Sequence, residues 1–203
     1  ATYDVTGSQT EVGSSANAFT YTLNEGTKAA NYEIATVEGT LTVTELTDKV
    51  TVTITENSGS EKYDGSEKTV TGYKVSIDNS LYTEADFTFS GTDSVTGTDA
   101  GSYDMELKAA DFTNISENIT NVEFVIVDGT LEISKRTVTL TSADAEKVYD
   151  GTALTRNQQT DVTVTGDGFV DGEGATYDVT GSQTEVGSSA NAVTHTLYEG
   201  LKA

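Results

Sequence analysis

The chain has 203 residues, with 33 acidic and 11 basic side chains, so its formal net charge at pH 7 is −22. Phosphate binding needs clustered Lys and Arg, so this acidity argues against nucleic acid and anionic membranes as partners. The absence of Cys excludes disulfides, thiolate metal sites and a Cys nucleophile. The sequence also lacks an apolar run of the ~18 residues that a membrane-spanning helix needs.

The sequence repeats itself. Residues 1–29 and 175–203 are identical at 25 of 29 positions, at an offset of 174. A more divergent copy lies between them, where residues 91–107 align with 7–23 and residues 51–66 align with 137–152. The period is therefore half of 174, or 87 residues, which is the signature of a tandem repeat protein.

In chain order, this period predicts three segments. Residues 1–46 are the C-terminal part of one repeat, and residues 47–134 are a complete repeat. Residues 135–203 are the N-terminal part of a third repeat that lacks its last strands. One alternative stays open, in which the structural unit is permuted, so that residues 1–174 hold two full domains followed by a 29-residue tail.

Apolar and Thr residues alternate along the chain. This pattern occurs in residues 40–44, 50–55 and 137–141, and it is typical of strands with one buried face. Gly-containing turns separate such runs every eight to twelve residues. We therefore expect an all-β chain of tandem β-sandwich repeats of about 87 residues, immunoglobulin-like as first choice and β-grasp-like as the alternative. Short joints between repeats predict an elongated rod. The core of the complete repeat is predicted to contain Val52, Ile54, Val75, Phe87, Phe89, Met105, Leu107, Phe124, Ile126 and Leu131.

The motif Tyr-Asp-Gly occurs at residues 63–65 and 149–151. As a ligand site, Tyr63 and Tyr149 would stack on sugars, while Asp64 and Asp150 would accept hydrogen bonds from sugar hydroxyls. As a turn, Asp tolerates the tight geometry and Gly supplies a positive φ, which explains the residue types equally well. We favour the turn, with Gly65, Gly151, Gly39 and Gly129 as structural turn glycines.

Acidic side chains concentrate in residues 165–174. Asp167, Asp171 and Glu173 could supply several of the oxygen ligands that Ca²⁺ requires, and they are the candidate metal site of the sequence. No other cofactor is expected. The single His195 aligns with Tyr21 and Met105 in the other copies, so we do not expect it to be a catalytic base.

Three motifs carry a resemblance to a known family. The segments KVYDGTALT (147–155), GSSANAFTYTL (13–23) and NYEIATVEGTLTVT (31–44) resemble the MBG/YDG-type tandem repeats of bacterial cell-surface adhesins, and we expect a Gram-positive origin. The resemblance implies a secreted protein, anchored to the cell wall in its parent, whose repeats form a stalk or an adhesive surface. It supplies no catalytic residues, so an enzyme is not expected.

These observations predict a non-enzymatic stalk or spacer module of a surface protein with weak multivalent adhesion. The alternative is a module that binds host glycans or mucin. The partners expected are neighbouring repeats and, under the alternative, those glycans. Residues 135–174 of one molecule and residues 1–46 of the next together contain the sequence of one complete repeat. This predicts head-to-tail self-association through the incomplete terminal repeats.

Overall fold

The protein is described by a computed structural model that covers residues 1–198; the last five residues of the predicted segment 135–203 lie outside the described part. Within residues 1–198 the regular structure is strand apart from short 3-10 turns, so the all-β class is confirmed. The sheets are small, with two or three strands each, as in a β-sandwich-like domain. None of the described helices is long and apolar enough to cross a membrane.

The strands of the described residues are numbered in chain order. They are β1 (Thr2–Val5), β2 (Gly13–Asn17), β3 (Phe19–Thr22), β4 (Gly39–Val43), β5 (Val50–Glu56), β6 (Gly59–Lys62), β7 (Lys68–Thr71), β8 (Tyr73–Ile77), β9 (Phe87–Phe89), β10 (Ser94–Gly97), β11 (Gly101–Asp104), β12 (Phe112–Asn114), β13 (Val122–Val127), β14 (Thr130–Ser134), β15 (Val138–Ser142), β16 (Leu154–Thr155), β17 (Val162–Gly166), β18 (Ala175–Val179), β19 (Ser182–Gln183) and β20 (Val193–Leu197). The 3-10 turns are Ala29–Asn31, Glu84–Asp86, Ala109–Asp111 and Gln159–Asp161.

The chain divides into two compact units that do not follow the repeat boundaries. Among the described residues, unit 1 contains 1–57, 71–93 and 105–129, and unit 2 contains 58–70, 94–104 and 130–198. The segment 47–134 therefore contributes strands to both units. The repeat boundaries read from the sequence stay a prediction.

The core of unit 1 is built around strand β5. The sheet order is β13-β5-β8, with β13 parallel and β8 antiparallel to β5. Because β5 is central, its apolar side chains are fully enclosed, and Val50, Val52 and Ile54 each have 0% exposure. The alternation of Val, Ile and Thr predicted this strand, but it did not predict that the neighbouring β13 would run parallel.

An aromatic cluster continues this core. Phe112 belongs to the segment 108–120, which is longer in the middle repeat than the corresponding segment of the first repeat. The Phe112 side chain is 5% exposed. Its ring centroid lies 4.9 Å from that of Phe89 and 5.5 Å from that of Phe124. Strand β12, which Phe112 begins, pairs antiparallel with β9. The longer loop therefore adds a strand and a core side chain to unit 1.

Unit 2 contains a second three-stranded sheet in the order β11-β14-β6. Strand β14 is antiparallel to β11 and parallel to β6. Its central position buries Leu131 and Ile133, at 0% and 3% exposure. The remaining strands of the unit form the pairs β7–β10, β15–β17, β16–β19 and β18–β20.

The predicted core is partly reproduced. Six of the ten predicted side chains are buried, namely Val52, Ile54, Phe87, Met105, Leu107 and Leu131. Val75, Phe89, Phe124 and Ile126 are half-buried instead. Five further side chains of the middle repeat are buried although they were not predicted, namely Val50, Tyr82, Phe112, Ile119 and Ile133. Both Tyr82 and Phe112 lie next to short 3-10 turns, where strand alternation gives no signal.

Candidate functional site: the Tyr-Asp-Gly turns and the repeat boundaries

Both Tyr-Asp-Gly motifs form the same turn. The Asp64 carboxylate accepts hydrogen bonds from the Ser66 backbone N–H at 2.9 Å and from its hydroxyl at 2.5 Å. The Asp150 carboxylate accepts the corresponding bonds from Thr152, at 2.9 and 2.8 Å. The glycine between them has a positive φ in both copies, 80° at Gly65 and 78° at Gly151. Each Asp therefore holds its own backbone in the turn.

A lysine completes each turn. The Lys68 Nζ lies 2.6 Å from the Asp64 carboxylate, and the Lys147 Nζ lies 2.7 Å from that of Asp150. The hydrogen bond from the lysine, followed by those from Ser66 or Thr152, holds the pKa of each aspartate well below its ordinary value. One lysine follows its aspartate and the other precedes it, so different sequences produce the same ion pair. Both carboxylates are thus engaged within their own turns.

The two tyrosines differ in their surroundings. Tyr63 is half-buried, and its hydroxyl donates a hydrogen bond to the Glu173 carboxylate. This bond, together with partial burial, raises the pKa of the Tyr63 phenol. Tyr149 is 56% exposed. One tyrosine of the repeated motif therefore contacts a later part of the chain, while the other presents its ring to solvent.

Tyr63 belongs to a larger network within unit 2 that crosses the predicted boundary at residue 135. The Asp167 carboxylate lies 2.7 Å from the Lys62 Nζ, and it accepts hydrogen bonds from the Thr137 backbone N–H at 2.8 Å and hydroxyl at 3.0 Å. These contacts, with Lys62 the largest contributor, lower the pKa of Asp167. Lys62 lies before the boundary, and Thr137 and Asp167 lie after it.

Arg136 stands at the centre of this boundary network. Its guanidinium donates hydrogen bonds to the backbone carbonyls of Gly168 at 2.8 Å, Tyr63 at 3.4 Å and Asp167. Because a guanidinium is planar and carries five donors, it can hold several carbonyls in one fixed arrangement. No sequence pattern assigned a role to Arg136, which lies in the short joint between the second and third repeats. Its position directly before the opening strand was the only signal available.

The structure does not gather the calcium candidates into one cluster. Asp167 is bonded to Lys62 and Thr137, and Glu173 accepts the hydroxyl of Tyr63. Asp171 is exposed. In the described part of the chain, no three Asp, Glu or His side chains lie close enough to hold a metal ion together.

A second boundary network lies within unit 1, near residue 47. The Asn118 side chain accepts a hydrogen bond from the Val12 N–H at 2.8 Å and donates one to the Glu11 carboxylate. The backbone carbonyl of Asn118 accepts from the Leu46 N–H at 2.8 Å. Asn118 of the longer loop 108–120 thus contacts the preceding repeat, which no sequence pattern predicted.

The remaining turn glycines have a different role from the two in the Tyr-Asp-Gly motifs. Gly39 is the first residue of β4, and neither Gly39 nor Gly129 has a positive φ. A Cβ on Gly129 would lie 2.4 Å from the Asn57 carbonyl oxygen. Gly129 therefore permits a close backbone approach.

The buried Glu56 binds the backbone at this close approach. It is 3% exposed, and its carboxylate accepts hydrogen bonds from the N–H groups of Leu107 at 2.6 Å and Gly129 at 2.7 Å. Leu107 follows Glu106, a non-glycine residue with a φ of 64°. The buried carboxylate therefore fixes the segment in which this unusual backbone conformation occurs. Ser142 occupies the aligned position in the next repeat, so a comparison of the repeats does not single out Glu56.

One of three comparisons with known proteins found a match. A family model for the MBG domain matches residues 49–135. The comparison with curated proteins and the comparison with solved structures each gave no match. The MBG family is a non-catalytic repeat domain family, and a domain of this family indicates a repeat module of surface proteins. Residues 49–135 are therefore an MBG-type repeat, as the resemblance of the sequence motifs predicted.

Proposed function

We propose that this chain is a non-enzymatic spacer of a secreted bacterial surface protein, anchored to the cell wall in its parent, whose repeats form a stalk and contribute weak multivalent adhesion. The observation that carries the proposal is the network around Arg136 and Asp167. In this network Tyr63, the first residue of a Tyr-Asp-Gly turn, contacts Arg136 and Glu173 of the following repeat. A spacer needs such contacts, since its task is to hold successive repeats in a defined arrangement.

The boundary network can restrict rotation at the joint. Arg136 binds carbonyl groups on both sides of the boundary, namely those of Tyr63 and Gly168. The Lys62–Asp167 pair is partly exposed, so its own contribution to stability is small. The joint 134–136, Ser-Lys-Arg, contains no glycine, and several directional bonds therefore leave it few backbone conformations that satisfy all of them. This favours a stiff joint.

The charge of −22 supports the same proposal. Neighbouring repeats with nearly identical strands are prone to mispairing, and exposed strand edges invite association with other chains. Repulsion among acidic surfaces keeps such a protein soluble. The charge therefore needs no specific cationic partner to explain it.

Limited proteolysis tests the spacer proposal, because trypsin cleaves after Lys135 and Arg136. We expect slow cleavage at this joint in the wild-type chain and several-fold faster cleavage in Asp167→Ala. The matched control is Asp171→Ala, a change to an exposed residue of the same loop that should cleave like wild type. Rapid cleavage of the wild-type joint under native conditions would argue against a stiff spacer.

The second candidate is a module for host glycans or mucin, and the exposed ring of Tyr149 favours it. A glycan array that includes mucin, probed with the chain displayed multivalently, tests this candidate. Binding that is lost in Tyr149→Ala and kept in Tyr63→Phe would establish an adhesin. A silent array beside a working lectin would leave the spacer function.

A further inference from the structure

An open groove lies within unit 2, in the third repeat. It has a volume of about 480 Å³ and is lined by residues 143–147, 149, 154–156 and 181–191. The lining includes Leu154 and Ser182, which belong to the strand pair β16–β19. The wall segments 145–148 and 187–191 form no strand in the described structure.

One wall has an identical copy elsewhere in the chain. Residues 187–191 and 13–17 both read Gly-Ser-Ser-Ala-Asn. In the first copy these residues form β2 and pair with β4, with Ser15 opposite Leu41. In the groove the same five residues have no strand partner among the described residues.

The two copies also share their local hydrogen bonds. The Gln9 side chain donates to the Glu11 carbonyl at 2.7 Å, and the Gln183 side chain donates to the Glu185 carbonyl at 2.7 Å. The hydroxyls of Ser15 and Ser189 donate to the carbonyls seven residues before them, at 3.0 and 3.2 Å. The groove wall therefore keeps the local hydrogen bonds that accompany the strand-accepting segment in the first copy.

The segment on the other side of the groove also corresponds to a segment that pairs with a strand of the β4 type. Residues 145–148 align with 59–62, which form β6. Strand β6 pairs in parallel with β14, with Leu131 opposite Gly59. Strand β14 and strand β4 have related sequences, Thr-Leu-Glu-Ile-Ser and Gly-Thr-Leu-Thr-Val. Both walls of the groove therefore correspond to segments that pair with a closing strand of this type.

We propose that this groove is a strand-acceptor site that binds β4 of a second copy of the chain. Along one edge of β4 the exchange replaces a pairing by an equivalent one, because residues 187–191 have the same sequence as its original partner, residues 13–17. On its other edge β4 gains residues 145–148, whereas in its own unit it pairs with β2 alone. Strand exchange of this kind links molecules head to tail, and addition of a strand to an open edge is a common mode of recognition.

The apolar side chains of β4 support the exchange. Leu41 and Val43 are only half-buried in unit 1. Their counterparts in β14, Leu131 and Ile133, lie between two strands and are 0% and 3% exposed. Insertion of β4 into the groove would give Leu41 and Val43 a similar two-sided environment.

A labelled peptide tests the acceptor site directly. A fluorescent peptide of residues 37–45 is titrated with the 203-residue chain, and its anisotropy is followed. We expect saturable binding, with new amide-exchange protection at 145–148 and 187–191. The control peptide carries Leu41→Asp and Val43→Asp and should not bind. A flat titration, or protection confined to residues 13–17, would overturn the proposal.

A chain extended at its C-terminus tests whether the groove is occupied by β4 of a second copy. Residues 30–46 are appended after residue 203, which supplies the closing strand within the same molecule. Sedimentation velocity should show concentration-dependent oligomers for the wild-type chain and monomers for the extended chain. An extension with Leu41→Asp and Val43→Asp should restore the oligomers. A wild-type chain that stays monomeric at every concentration would refute strand exchange between copies.

Discussion

The hydroxyl of Tyr63 donates a hydrogen bond to the carboxylate of Glu173, a residue 110 positions further along the chain. Tyr63 belongs to the complete repeat and Glu173 to the acidic loop of the next one. A motif residue that could have stacked on a sugar is therefore engaged at the joint between repeats.

This bond predicts a late titration of Tyr63. The bond to Glu173 and partial burial raise the pKa of the Tyr63 phenol. A group with a raised pKa stabilises the fold below its unfolded pKa and loses that contribution as the pH rises through its folded pKa. Burial also raises the pKa values of Tyr73 and Tyr82, so ultraviolet difference titration should show several late phenolates. Their number should fall by one in Tyr63→Phe, and one of them should shift to lower pH in Glu173→Gln. Tyr149→Phe is the control and should keep all the late transitions.

Asp167 predicts acid sensitivity at the joint. Lys62 and Thr137 lower the pKa of Asp167 from its ordinary value of 3.8. Its contribution to stability is therefore present above pH 3.8 and is lost as the pH falls from there through the folded pKa. We expect Asp167→Asn to flatten the decline of thermal stability in this acid range, measured by calorimetry. An unchanged acid decline in Asp167→Asn, matching that of Asp171→Asn, would contradict this role.

The buried Glu56 predicts a large effect on stability. Glu56→Ala leaves the N–H groups of Leu107 and Gly129 without their acceptor, which should cost about 2–6 kcal/mol at roughly 1–3 kcal/mol per group. Glu56→Gln keeps one acceptor oxygen and should cost about half as much. The free energy of unfolding in urea measures both changes. The exposed Glu61→Ala is the control, with an expected effect within about 0.5 kcal/mol.

Phe112 tests whether the longer loop of the middle repeat is part of the core. Its ring packs against Phe89 and Phe124, so Phe112→Ala should lower the free energy of unfolding by about 3–5 kcal/mol. Ile115→Ala, in the same loop but 55% exposed, should change it by no more than about 0.5 kcal/mol. Similar small effects for both variants would show that the loop is only a surface insertion.

Local chemistry explains what could be predicted. The alternation of Val50, Val52 and Ile54 with threonine predicted a strand because side chains on a strand alternate between its faces. The Tyr-Asp-Gly sequences likewise limited residues 63–65 and 149–151 to a few conformations. Phe112 and Glu56 carried no such signal, since their burial depends on partners far away in the chain.

The sequence by itself determined the all-β class, the 87-residue period and the MBG-type character of the repeat, because these follow from short-range patterns and their recurrence. The tertiary structure alone decided which strands pair, for example that β13 runs parallel to β5. It also decided that Arg136, Asp167 and Tyr63 meet at a repeat boundary. The physical reason is that strand pairing and boundary contacts join residues distant in sequence, and their energies depend on the arrangement of the folded chain.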